Sequence, residues 1–98
     1  MVVIALLTLD IHIPHAHSLK EKRMVVRSLK DRLRAKFNVS VSEVDHQDLW
    51  QRATIAVAVV GADRHHLLRV LHEIEKRVDA WAETEVLDRD VQEFWPET

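Results

Sequence analysis

Basic side chains recur between residues 19 and 36 at intervals of four, three and four positions, which places them on one side of a helix. This basic stripe consists of Arg23, Arg27, Lys30 and Arg34. Such a stripe suits phosphate groups, because each neutralised phosphate adds salt-dependent affinity. We therefore predict a nucleic-acid-binding surface formed by Lys20, Lys22, Arg23, Arg27, Lys30 and Arg34. Two alternatives fit the same residues: a solvated face with ion pairs to Glu21 and Asp31, or pairing with the acidic half of a partner subunit.

Charge is distributed unevenly along the chain, although the net charge is only −2. Residues 1–36 contain eight Lys and Arg against three Asp and Glu, whereas residues 37–98 contain six against thirteen. The segment that carries the basic stripe is therefore the electropositive part of the molecule.

Histidines and carboxylates are the other candidates for chemistry. His12, His15 and His17 are close in sequence, but zinc needs three or four ligands that converge as a tetrahedron, and no His-x-x-x-His pair accompanies them. Asp10 shares one side of a predicted strand with His12, where the two could share a proton, yet polar strand ends commonly carry such residues. A single glycine cannot build a phosphate-binding loop. We expect no metal, no cofactor and no enzyme activity.

Length and composition indicate one globular domain over residues 1–98. The chain is 47% apolar and 31% charged, which is typical of folded domains. It has no cysteine, which excludes disulfides and thiolate metal sites and fits a reducing compartment. The apolar start has no basic leader and reaches Asp10 well before the roughly 20 residues that span a bilayer. We expect a cytoplasmic protein without membrane contact.

Hydrophobic periodicity predicts six elements in the order β-α-β-β-α-β. The strands are predicted over residues 2–13, 37–45, 53–60 and 84–93, the last with a bulge or at a sheet edge. A capping box of Ser18 and Glu21 begins a helix over about 19–36, and Asp63 begins a second helix. This order is typical of a ferredoxin-like α+β sandwich with a four-stranded antiparallel sheet and two helices on one face. Right-handed crossovers place the first and third strands in the middle.

The sheet face away from the helices, here called the open face, is predicted to be apolar at its centre. Odd positions of the first strand make the better core set, so even positions of the two central strands point outward. The outward apolar residues are Val2, Ile4, Leu6, Ala56, Ala58 and Val60. Exposed patches of this kind usually mark an interface. We predict a homodimer through this face, with coverage by a long loop or by the Phe94–Trp95 tail as the alternative.

Aromatic residues are absent from the central strands. Sheet-face RNA readers of the RRM type stack bases on such aromatics, so their absence argues against that class. Trp50 lies in the connection between the second and third strands, beside Arg52. It is a candidate interface anchor, because interface hot spots favour Trp and Arg. Packing against the end of the sheet is the slightly preferred alternative.

Three segments carry a family resemblance. They are H-I-P-x-A-x-S-L-K-E-K-R (His12 to Arg23), V-x-R-S-L-x-D-R-L-R (Val25 to Arg34) and F-N-V-S-V-x-E-V-D-x-Q-D-L-W-Q-R-A (Phe37 to Ala53). With them the chain resembles the bacterial YlxP-like family of domains of unknown function over essentially its whole length. The resemblance implies a ferredoxin-like fold and no established enzyme activity. Members are often encoded beside ribosome-maturation and translation-initiation genes, which implies a role near the ribosome or RNA.

Three functional hypotheses follow from these observations. The first is a non-enzymatic binding module that contacts structured RNA or a ribosome-assembly particle through the basic first helix. The second is a protein-interaction or structural dimer module without a nucleic-acid role, in which the open face and Trp50 contact protein. The third is an enzyme that uses the histidines with a metal or a small molecule.

Overall fold

The computed structural model describes residues 1–96, and its elements follow the predicted order. They are β1 (Val3–His12), α1 (Leu19–Lys36), β2 (Ser40–Asp45), β3 (Arg52–Gly61), α2 (Arg64–Ala80) and β4 (Glu85–Phe94). The strands form one antiparallel sheet in the order β2-β3-β1-β4. This arrangement confirms the predicted ferredoxin-like α+β fold, with β1 and β3 in the middle.

Buried and half-buried residues alternate along the two central strands, which shows which side of the sheet faces the core. Odd positions of β1 and β3 are buried beneath the helices, and Leu7 lies opposite Val57 in the paired register. Even positions such as Ile4 and Leu6 are only half-buried and lie on the open face. The prediction that these two residues point away from the helices is therefore confirmed.

Helix α1 begins and ends where its sequence predicts. The Ser18 hydroxyl accepts a hydrogen bond from the Glu21 main-chain N–H at 3.1 Å, and the Glu21 carboxylate accepts from the His17 N–H at 2.7 Å. The first bond satisfies one of the main-chain donors that a helix N-terminus leaves free, and the second ties the residue before the cap to the first turn. At the other end, the N–H of Phe37 donates to the Leu33 carbonyl at 2.8 Å, and the chain then turns away.

Helix α2 packs one apolar stripe on the sheet. Its buried residues are Leu67, Leu71, Ile74 and Val78. The Asp63 carboxylate caps its first turn by accepting from the N–H groups of His65 at 3.0 Å and His66 at 3.3 Å. Those donors, the His66 N–H foremost, hold the pKa of Asp63 below its ordinary value of 3.8.

The start of β2 differs from the prediction by three residues, whereas the bulge and edge position predicted for the last strand are confirmed. Strand β2 begins at Ser40 rather than at residue 37, because Phe37 completes the end of α1 and its carbonyl accepts from the Val39 N–H at 3.0 Å. Edge strand β4 changes register between Asp10 and Ile11 of β1, so that Leu87 has no partner in the ladder. This bulge explains the mixed alternation of its sequence.

No helix within residues 1–96 combines the length and the apolar character that crossing a bilayer requires.

The lowered pKa of Asp63 predicts a pH-dependent contribution of its cap to stability. A carboxylate whose pKa is lower in the folded state stabilises the protein above its unfolded pKa, and this gain disappears as the pH falls through the folded pKa. Wild type should therefore exceed Asp63→Asn in free energy of unfolding at neutral pH, and the difference should shrink as the pH falls below 3.8. Urea unfolding of both proteins across this range measures it. A difference that is independent of pH would contradict the assignment.

Candidate nucleic-acid interface and open face

The basic stripe lies on the flank of α1 that is next to edge strand β2. Arg23, Arg27 and Arg34 are exposed, and Lys30 is half-buried. The Arg34 guanidinium donates to the Val41 carbonyl of β2 at 2.9 Å, which fixes the position of this flank against the sheet. The structure therefore brings the four predicted cations together on one accessible surface, with Lys20 exposed in the first turn of the same helix.

Within residues 1–96, no acidic side chain forms an ion pair with the basic stripe. Helix α1 carries eight basic and two acidic residues. Six ion pairs occur among residues 1–96, and none of them uses a residue of the basic stripe. Glu21 instead accepts from the main chain of His17. Pairing with Glu21 or Asp31, one of the alternatives for these residues, is thus not seen in the described part of the chain.

Lys22 does not belong to this surface, and its assignment to nucleic-acid binding is wrong. Its side chain is fully buried, with the ammonium nitrogen 2.5 Å from Oε2 of Glu43 on β2. The same ammonium donates to the His46 carbonyl at 2.8 Å. Because Lys22 precedes Val26 by one helical turn on the buried stripe of α1, its position indicates the core even though its charge suggests the surface.

The connection between β2 and β3 is bound to the start of α1 by further hydrogen bonds. The Gln51 side-chain amide donates to the carbonyls of Ala16 at 3.1 Å and Pro14 at 3.3 Å. The Ile13 N–H in turn donates to the Gln51 carbonyl at 2.9 Å. Two of the three family-like segments, His12 to Arg23 and Phe37 to Ala53, therefore meet at one place and share a structural role there.

Trp50 projects from this connection and is 54% exposed. The preferred expectation that it packs against the end of the sheet is therefore wrong. Its neighbour Arg52 is engaged by Asp10, whose carboxylate accepts from the guanidinium with an Nη2–Oδ2 distance of 2.5 Å. A role of Trp50 as an interface anchor stays a prediction.

The open face has a polar end in which the candidate acid–base residues bind separate partners. Asp10 pairs with Arg52, whereas Nδ1 of His12 lies 3.4 Å from Oε2 of Glu85. Nδ1 of His46 is 2.8 Å from the Thr54 hydroxyl oxygen. Over residues 1–96, no three His, Asp or Glu side chains are grouped as a metal site would require.

The other end of the open face is apolar. In paired register, Val60, Ile4 and Phe94 form one row across the sheet, and Leu6 and Ala58 are adjacent in the next. Val60 is 66% exposed, and Val2, Phe94 and Trp95 are also exposed. The described part of the tail, which ends at Pro96, therefore adds to the exposed apolar surface. This argues against the alternative that the tail covers the open face. This region is called the apolar end below.

A second cationic surface, which sequence patterns did not single out, lies on the opposite flank of α1. There the C-terminal half of α1 lies beside the last turns of α2, with Arg32 over the Trp81 ring and Arg77 over the Phe37 ring. In each contact the two residues are at least 40 positions apart in the sequence, so only the tertiary structure brings them together.

Comparisons with known proteins agree with the resemblance. A family model described as "Protein of unknown function (DUF503)" matches residues 4–91, which include all or part of each strand and helix. The uncharacterized protein YlxP of Bacillus subtilis (strain 168) is 40% identical over 70 residues, which cover 71% of this chain and 76% of the relative. The predicted similarity to a YlxP-like family of unknown function is confirmed.

The burial of Lys22 predicts a large stability loss when it is removed. Lys22→Ala leaves the Glu43 carboxylate without its cation in a site that is mostly closed to water. We expect the free energy of unfolding to fall by about 3 kcal/mol or more, as for other broken buried pairs. The matched control is Lys20→Ala, at an exposed position of the same helix turn, which should change stability by less than about 0.5 kcal/mol. Equal losses in urea unfolding would contradict the buried pair.

Proposed function

We propose that this chain, which belongs to the DUF503 family of proteins of unknown function, is a non-enzymatic binding module that contacts structured RNA through the basic stripe of α1. The observation that carries the proposal is the row of four cations, three exposed and one half-buried, that no acidic residue of the described chain pairs with. A ribosome-assembly particle is one source of such RNA.

The length of the basic stripe favours a polymer over a free phosphate. From Arg23 to Arg34 the helix rises about 16 Å, at about 1.5 Å per residue. Cations spread over that length can contact several phosphates of one backbone, and each neutralised phosphate adds salt-dependent affinity. A single phosphate would use only one or two of them.

The basic stripe is held rigidly, which supports binding by a preformed surface. Ser18 caps the start of α1, Lys22 binds it to β2 and the following connection, and Arg34 contacts the Val41 carbonyl. The backbone of α1 is therefore already ordered before binding, and that lowers the entropic cost of binding. Contacts from a helix flank to phosphates select the shape and charge of RNA more than its sequence.

A second proposal concerns self-association through the apolar end. Val2, Val60 and Phe94 are exposed next to Ile4 and Leu6, and burial of such a patch is favourable by about 25 cal/mol per Å². A second copy is the natural partner, because a twofold axis lays identical apolar patches on each other. The other end of the same face carries the carboxylates of Asp88 and Asp90 on β4, whereas the carboxylate of Asp10 is paired with Arg52. Like charges oppose full overlap, so the overlap should be limited to the apolar end.

RNA binding by the basic stripe predicts a specific change in salt dependence. Arg23→Gln/Arg27→Gln removes two phosphate contacts, so the slope of log K against log[salt] should become shallower by roughly 1.5. Binding of a ribosomal RNA fragment is measured by fluorescence anisotropy at several salt concentrations.

The control for this experiment changes the same charge elsewhere. Arg69→Gln/Lys76→Gln removes two exposed cations of α2 and should alter the slope far less. If both double variants lose affinity equally, the effect is one of net charge and the basic stripe is not the binding surface. Undetectable binding of wild type at low salt would refute the proposed function.

Self-association predicts that a charge at the apolar end gives a monomer. Val60→Asp places a carboxylate on the exposed apolar patch and should shift sedimentation from dimer to monomer. Val44→Asp is the matched control, because Val44 is half exposed on β2 and lies outside the apolar end. A wild-type protein that sediments as a monomer at about 100 µM, where contacts of even modest affinity are occupied, would contradict the proposal.

A further inference from the structure

The groove between α1 and α2 is a cleft that is open to solvent and has an apolar floor. It has a volume of about 280 Å³ and lies between the C-terminal half of α1 and the last turns of α2. Leu29, Leu33 and Val78 form its floor and belong to the buried core. Phe37 and Trp81 form its walls, and both are half-buried against the same core.

Each aromatic wall is stacked by an arginine from the other helix. The guanidinium carbon of Arg32 on α1 lies 4.5 Å from the centroid of the Trp81 ring, which follows α2. The guanidinium carbon of Arg77 on α2 lies 5.8 Å from the centroid of the Phe37 ring, which follows α1. Two arginine–aromatic pairs therefore flank the groove, and guanidinium and aromatic groups are both groups on which another flat group can stack.

The groove is electropositive at its rim. Arg32, Lys36 and Arg77 all line it, and only Arg77 has an acidic partner among residues 1–96, with its Nε 3.1 Å from Oε1 of Glu73. An occupant that complements this lining combines a flat aromatic body with negative charge. A nucleobase joined to a phosphate has both features, since bases stack on aromatic and guanidinium planes while phosphates bind Lys and Arg.

We propose that this groove binds one unstacked nucleotide of a single-stranded RNA segment, with its base stacked at Arg32 and Trp81 and its phosphate at Lys36. This inference rests on the proposed RNA-binding function and names the part of the RNA that is recognised. The cavity volume lies at the lower limit for ligand sites, which suits one nucleotide and not a larger cofactor. A strand that leaves the groove can cross α1, about 10 Å wide, to reach the basic stripe on its other flank.

The test compares three probes that differ in base content and chain length. They are single-stranded hexa-adenylate, an abasic hexamer with the same phosphates, and adenosine monophosphate. Hexa-adenylate should bind about fivefold or more tightly than the abasic hexamer, as expected for one stacked base. It should also quench tryptophan fluorescence, and the quenching should be much smaller in Trp81→Phe, where Trp50 and Trp95 still report.

Substitution of the two groove arginines distinguishes binding of a base in the groove from general attraction between the RNA and positive charge. Arg32→Gln/Arg77→Gln should lower the affinity for hexa-adenylate to nearly that for the abasic hexamer. Arg69→Gln/Lys76→Gln, with the same change in charge on an exposed part of α2, should keep the preference for the probe that contains bases. Circular dichroism of each variant checks that the fold is retained.

The possible failures point to different conclusions. Equal binding of both hexamers without quenching of Trp81 overturns the groove proposal, while RNA binding by the basic stripe stands. Adenosine monophosphate that binds as tightly as hexa-adenylate overturns the assignment to an RNA strand in favour of a free nucleotide. If neither hexamer nor a ribosomal RNA fragment binds at low salt, the proposed function itself is refuted, and this inference with it.

Discussion

The ion pair between Lys22 and Glu43 is the constraint on which the functional surfaces depend. An ammonium group in the core is costly unless charge and hydrogen bonds compensate it, and here a carboxylate from β2 and the carbonyl of His46 do so. These partners come from β2 and from the connection that follows it, so the compensation exists only when α1 lies in one position on the sheet. Once α1 is fixed there, its basic stripe faces outward beside β2 and its other flank faces α2. A hydrophobic residue at position 22 could fill the same space, but it would specify the position of the helix less strictly.

Local chemistry was sufficient to predict most of the fold. The alternation of apolar residues predicts the two faces of β1, and the capping residues Ser18 and Asp63 mark the starts of the two helices. These features could be predicted because each depends on residues only a few positions apart. The errors arose where a tertiary contact outweighs a local preference. Lys22 has a charge that suggests solvent, and only its partner Glu43, which is 21 positions away, makes burial possible. Phe37 fits a strand pattern by its sequence, yet it ends α1 and packs on the core.

The same distinction explains which parts of the candidate sites could be predicted. The basic stripe lies within one helix, so spacing alone places its members on one flank. The groove depends on how α1 and α2 are aligned, since Arg32 must meet Trp81 and Arg77 must meet Phe37. No periodicity in the sequence encodes that alignment, which results from the packing of both helices on the sheet. The apolar end is an intermediate case: alternation predicts Ile4 and Val60, whereas the exposed position of Phe94 beside them follows from the strand register.

The two proposals for the protein reinforce each other because they use opposite layers of the sandwich. The helices cover one side of the sheet, and the apolar end lies on the other, so a dimer formed through the open face leaves α1 accessible in both copies. Two basic stripes on one particle would engage a folded RNA at two places, and the second contact would be intramolecular. Because the second contact is intramolecular, even a weak dimer would be enough to raise the affinity for RNA.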